Sequence, residues 1–516
     1  MMDLLLWELI GQRMVVGFPG TEIDDELKDL ICNYKIGNII LFRDNIESIP
    51  QLKKLCSDLQ QMIKYHTGHD AFIAIDQEGG MVTRLGQDAV NMPGAMAIAA
   101  TDNIENAYWA GKITGEQLKS LGVNFNLAPT VDVNSNTDNP VIGVRSFGDK
   151  PEKVAEYAVA MTKGLLDGGV LACAKHFPGH GDTNVDSHLG LPLVEKGLEE
   201  LEQCELIPFR KVIETGIPAV MTTHILFPKI ETKKIPATMS REIITGLLRE
   251  KLGYSGLIVS DCMEMSAIKK YYGTVEGSIQ AIKAGVDLIF ISHTAKVARE
   301  VSEALVTLLD IDDISMKEMK ESVERILKFK EKMKTKNEND IEFDVTKGKS
   351  FASSLLKKSI TPIQMPTNIL PDIGSCPLFI GAPVFRATNV SNKKEEGIHF
   401  SEYLQKRLGG KAIPISADPT ESEILEALQN IEEHSCIVIG TYNGHLYKGQ
   451  LDLVNQVAKI HQKVIVIALR NPYDLKDLPR NVYGIAAYEY TRNSLETVTA
   501  LLEHGFLPEG VLPVKM

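Results

Sequence analysis

Apolar and polar positions along the first part of this chain alternate on two length scales. Short runs rich in Val, Ile, Leu or Phe occur at Met14–Gly17, Ile39–Phe42, Phe72–Ile75, Val123–Leu127, Leu171–Ala174, Ala219–Thr222, Leu257–Ser260 and Val286–Ile291. Each is too short for a helix and has the character of a buried strand. Longer stretches of helical character separate most of them, among them Glu47–His66, Asn103–Leu121, Pro151–Gly168 and Ser240–Leu252. Buried strands alternating with helices predict a parallel sheet. Eight such strands predict a closed (β/α)8 barrel, whose carboxyl strand ends carry the active site. Past Met333 the chain loses almost all apolar content until about Ser350. The alternation then restarts, with strand candidates at Pro377–Ile380, Ala412–Ile415, Cys436–Ile439, Val464–Ala468 and Val482–Ala487 and helix candidates such as Glu421–Glu433 and Leu451–Gln462. The chain is therefore expected to be α/β throughout. A (β/α)8 TIM-type barrel would occupy residues 1–335, a linker 336–350, and a C-terminal α/β sandwich with a mostly parallel sheet 351–516.

The 516 residues are 44% hydrophobic and 24% charged, an ordinary globular balance with material for more than one core. A formal net charge of −13 repels phosphate backbones, so nucleic acid is not an expected partner. Seven cysteines form no CxxC pair, and several lie in apolar runs, so reduced buried thiols are expected. No run reaches membrane-spanning length, so no membrane association is expected. The start, MMDLLLWELIGQRM, lacks the basic opening and long apolar stretch of a secretory signal, which makes a cytoplasmic location the expectation.

Several strand candidates end in polar clusters: Asp76-Gln77-Glu78, Lys175-His176, Thr222-Thr223-His224 and Ser260-Asp261. The densest segment, KHFPGHGDTNVDSH from Lys175 to His188, holds three histidines, two aspartates and a lysine among two glycines and a proline. Glycine and proline at that density make an irregular loop, and its titratable groups suit proton transfer and substrate binding. A metal site is a poor fit. The chain has no HExxH and no compact ligand group, and Lys175 would oppose a cation. Neither metal nor cofactor is expected. A flavin- or phosphate-binding barrel would place a glycine-rich loop after the last strands, and Ser292-His293-Thr294-Ala295-Lys296 is not one.

The Lys175–His188 segment resembles the signature of glycoside hydrolase family 3, in its β-N-acetylglucosaminidase branch with two domains. Ile258-Val259-Ser260-Asp261-Cys262-Met263-Glu264-Met265 is similar to that family's nucleophile strand. Ile75-Asp76-Gln77-Glu78-Gly79-Gly80-Met81-Val82-Thr83-Arg84-Leu85 is similar to its sugar-binding turn, with Met81 where arginine is common in the family. The resemblance covers about residues 8–330 well and the rest more weakly. It implies that Asp261 attacks the anomeric carbon to form a glycosyl-enzyme, and that His188 protonates the leaving oxygen and then takes a proton from water. Asp186 would orient the His188 ring. Asp76, Arg84, Arg145, Lys175 and His176 would bind the terminal sugar. Glu78, His180, Asp182 and His224 carry weaker claims as supporting groups.

The expected function is that of a retaining exo-β-N-acetylglucosaminidase acting on muropeptides or chitooligosaccharides, with a small carbohydrate as its partner and a monomer or homodimer as its state. Three alternatives are a phosphorylase on the same site, a β-glucosidase or β-xylosidase of the same fold, and an inactive carbohydrate-binding protein. A neutral imidazole does not repel an anionic acceptor, which leaves room for phosphate. The β-glucosidase and β-xylosidase members usually lack the Asp-Ser-His element, and an inactive protein would have lost Asp261 or His188. Because these residues precede the linker, the C-terminal unit is expected not to be chemically essential.

Overall fold

The structure, a computed structural model, describes residues 2–183, 190–311, 314–334, 343–383, 398–429 and 431–516. Eight parallel strands close a barrel in chain order: β1 (Met14–Val16), β2 (Asn38–Leu41), β3 (Phe72–Ile75), β4 (Phe125–Asn126), β5 (Leu171–Phe177), β6 (Ala219–Thr222), β7 (Leu257–Cys262) and β8 (Leu288–Ile291). Side chains alternate across each strand. Val15, Ile40, Phe72, Ala74, Phe125, Leu171, Cys173, Ala219, Met221, Leu257, Val259, Leu288 and Phe290 fill one cluster, the barrel interior. Their neighbours Val16, Ile39, Ile73, Ile75, Ala172, Ala174, Val220, Ile258 and Ile289 pack outward against the helices. The interior is thus a filled core, closed from below.

The second sheet has six strands in the order β11-β10-β12-β13-β14-β9. Five are parallel: β10 (Leu378–Gly381), β11 (Lys411–Pro414), β12 (Ile437–Thr441), β13 (Val464–Ala468) and β14 (Val482–Ala486). The sixth, β9 (Thr361–Gln364), runs antiparallel to β14 at the sheet edge. Both faces are buried. Leu378, Ile380, Ile437, Ile439, Val464 and Val466 face one core, and Phe379, Val438, Ile465, Ile467 and Ile485 face another. This is the doubly wound arrangement of an open α/β sheet.

The two units pack together. Met96, Ala97, Ala100 and Val144, all from the barrel half, belong to a core of the second sheet. The helix Val345–Ser359, capped by Asp344, starts inside the stretch read as a linker. Its Ala352 and Leu355 join the outer core of the barrel. All seven cysteines are unpaired. Among the described residues no helix is long and apolar enough to cross a membrane.

Candidate active site

The alternation that fills the barrel also builds the layer above it. Phe72 and Ala74 point inward, and two residues further lies Asp76. Leu171 and Cys173 point inward, and next comes Lys175. The period of two therefore aims Asp76 and Lys175 at the barrel axis. On β7 a register shift between Val259 and Cys262 interrupts the alternation, and Asp261 lies within it. Lys175 Nζ lies 2.8 Å from Asp76 Oδ1. The buried Cys173 thiol beneath is held above its ordinary value by burial first, with the charges of Lys175, Asp76 and Asp261 also acting on it.

Glu78 and Arg145 complete an ion network. Lys175 Nζ is 2.6 Å from Glu78 Oε1. Arg145 grips Glu78 as a fork, with Nε to Oε2 at 2.9 Å and Nη2 to Oε1 at 2.8 Å. Thr130 Oγ1 donates to Glu78 Oε2 at 3.2 Å. Burial alone would raise the Glu78 carboxyl, but Arg145 and Lys175 override it and hold the group well below the usual carboxylate range. Burial likewise opposes the charge on Arg145 and Lys175, and Glu78 and Asp76 restore it, so both stay protonated. Arg84 closes the other side of Asp76, with Nη2 3.5 Å from Oδ2, and its guanidinium lies over the Phe42 ring at 5.9 Å. Of the three donors on the Lys175 ammonium, two point at Asp76 and Glu78.

His176 is fixed from behind. Its Nδ1 donates to Asp132 Oδ2 at 2.8 Å, and its Nε2 lies 3.5 Å from Arg145 Nη2. Asp132 is fully buried and also accepts from the backbone N–H groups of His176 and His180. Burial would raise this carboxyl, and the His176 ring and the donors from His180 bring it below its ordinary value. Sequence reasoning missed Asp132. Its one signal is an aspartate inside the apolar alternation Val131-Asp132-Val133.

The remaining expected residues separate into two groups. Asp261 lies at the end of β7 and accepts from Cys262 N at 2.7 Å. His224, at the end of β6, donates through Nε2 to the Cys262 carbonyl at 3.0 Å. Asp182 pairs with Lys196 at 3.0 Å, and His180 faces Thr183 Oγ1 at 2.9 Å. His180 is pushed down to about 4, chiefly by burial and then by the neighbouring His176. Asp186 and His188 lie outside the described residues. Glu78, expected only as a supporting group, sits at the centre of the ion network. Met81 points away from it, and its sulfur lies 3.2 Å from the Tyr490 backbone N–H. Among the described residues no group of three or more His, Cys, Asp or Glu side chains is placed to hold a metal ion.

With this geometry in hand, the chain can be set beside known proteins. The model of the glycosyl hydrolase family 3 N-terminal domain matches residues 5–329. A β-hexosaminidase A from Pseudoalteromonas piscicida is 39% identical over 335 residues, which is 61% of this chain and 56% of that protein. A β-hexosaminidase from Neisseria meningitidis is 33% identical over 288 residues, 54% of this chain and 78% of that protein. A solved glycoside hydrolase family 3 β-N-acetylglucosaminidase from Paenibacillus sp. str. FPU-7 superposes with a TM-score of 0.90 at 36% identity, covering 99% of this chain and 98% of its own.

Proposed function

We propose, because this chain belongs to glycosyl hydrolase family 3, that it is a retaining exo-β-N-acetylglucosaminidase. It releases terminal, non-reducing β-linked N-acetylglucosamine from small oligosaccharides such as muropeptides or chitooligosaccharides. The observation that carries this reading is the ion network of Asp76, Lys175, Glu78 and Arg145 at the strand ends of a filled barrel. The filled interior gives the site a closed floor, which favours binding the end of a chain and exo action. Asp76 accepts from sugar hydroxyl groups and Lys175 donates to a sugar oxygen, while Arg84, Arg145 and His176 keep those groups in place and offer further donors. The relatives named above support N-acetylhexosamine as the sugar.

In this reading the Asp261 carboxylate attacks the anomeric carbon as the glycosidic bond breaks. The leaving oxygen takes a proton from His188, whose ring Asp186 orients. A water molecule then gives a proton to His188 and displaces Asp261, and the two inversions together retain the β configuration. A cytoplasmic site of action would fit the recycling of cell-wall fragments.

Turnover of aryl β-N-acetylglucosaminide, β-glucoside and β-xyloside, each with and without phosphate, tests this. The expected result is turnover of the first alone, giving free N-acetylglucosamine at a rate insensitive to phosphate. Turnover of only the glucoside or xyloside would overturn the assignment of the sugar. Acceleration by phosphate, with a sugar phosphate as product, would make the protein a phosphorylase.

A further inference from the structure

Two barrel loops hold the two halves of the buried ion pair, and both are braced by the C-terminal unit. The loop after β4 carries Arg145. In it, Asn134 Oδ1 accepts from Gly143 N at 3.1 Å, and Asn134 Nδ2 donates to the Tyr473 hydroxyl at 2.8 Å. Gly143 has φ +46, and a Cβ there would lie 2.5 Å from Asn471 Oδ1. Only glycine fits that contact. Val144 enters the core of the second sheet, while the adjacent Arg145 reaches back to Glu78. The loop after β3 carries Glu78. Here the Glu489 carboxylate accepts from Gly94 N at 3.0 Å, and a Cβ on Gly80 would lie 2.9 Å from it. Tyr490 N–H meets Met81 on the same turn. A cavity of about 30 Å³, room for one water, lies among Glu78, Arg145, Tyr488 and Glu489.

We propose that Tyr473 and Glu489 are positioning residues for sugar binding, fixing the Arg145 and Glu78 loops so that their ion pair holds Lys175 in register. The sugar-binding role of that network rests on the function proposed above; the positioning itself rests on the contacts. The C-terminal unit then shapes the site without touching substrate.

The full chain is compared with Tyr473→Phe and with Gly143→Ala. Steady-state kinetics use the aryl glycoside that the unaltered protein turns over, and each unfolding midpoint is recorded. Tyr473→Phe is expected to raise KM about fivefold and Gly143→Ala about thirtyfold, with kcat on an activated aryl glycoside within about twofold. Unchanged KM in both variants would overturn the proposal. If Gly143→Ala does not fold, the Tyr473→Phe result decides. A wild-type protein silent on every glycoside would sink the proposed function instead. Positioning would then be read from a crystal structure of Tyr473→Phe: retention of the 2.8 Å Arg145–Glu78 contact overturns it, and a displaced Arg145 supports it.

Discussion

The barrel and the C-terminal sheet both end their parallel strands in polar loops, yet the two sets of loops do different work. At the carboxyl ends of β3, β5 and β7 the barrel places charged groups, Asp76, Lys175 and Asp261, with Asp76 and Lys175 on side chain positions that continue its interior. After β13 and β14 the sheet places Tyr473, Glu489 and Tyr490, which make hydrogen bonds to the barrel's own loops. Carboxyl strand ends are where α/β proteins bind ligands. Here one set of ends surrounds the candidate pocket and the other is occupied by its neighbour. Which end does chemistry follows from the side chains that reach open space, and the strand topology alone does not decide it.

The largest effect expected from this contrast is at Asp261. Asp261→Asn should lower kcat by about 10,000-fold, with an unfolding midpoint close to that of the unaltered protein. Activity within tenfold of normal would remove Asp261 from the reaction. Next comes Asp186→Ala, expected to cost about a thousandfold on alkyl glycosides and less than about tenfold on activated aryl glycosides, because a good leaving group needs little protonation. Equal losses on both substrates would refute the acid role. Glu78→Gln leaves buried Arg145 and Lys175 short of a counter-charge. It should raise KM about a hundredfold and reduce stability by about 3 kcal/mol, as denaturant unfolding would show. A variant as stable as the parent would mean that the network is not a linked unit.

The smallest effect is a pH dependence. The folded His180 value of about 4 lies below its ordinary 6.5, so the unfolded chain binds the extra proton between those limits. Its contribution is therefore complete above pH 6.5 and is lost as pH falls toward 4. Replacing His180 with Gln should flatten the stability profile across that window while leaving the alkaline side unaltered. An unchanged acid limb would show that His180 does not titrate there.

Much of this architecture is legible in the residue pattern, because a buried parallel strand has a short apolar run and little else that resembles it. The β9 strand was not legible. Thr361-Pro362-Ile363-Gln364 is short and only partly buried, and its proline lacks the N–H of a central strand, which confines it to an edge. Asp76, Arg84, Arg145, Lys175 and His176 were named from motifs, and the fold brings them into one cluster. Asp132 escaped because its partner His176 is 44 residues away, and only closure of the barrel joins them. The partner of Glu78, expected as a supporting group, was hidden for a similar reason, since Arg145 comes 67 positions later. The bracing by Tyr473 and Glu489 spans still longer separations and has no local signature at all.

The stereochemistry of the first product tests Asp261 as the nucleophile most directly. Proton NMR of N-acetylglucosamine released within the first minutes, before its anomers equilibrate, reads the configuration at the reacting carbon. A double displacement through Asp261 predicts the β anomer first, with the α form growing in afterwards. The α anomer appearing first would mean a single displacement by water, and would contradict Asp261 as nucleophile.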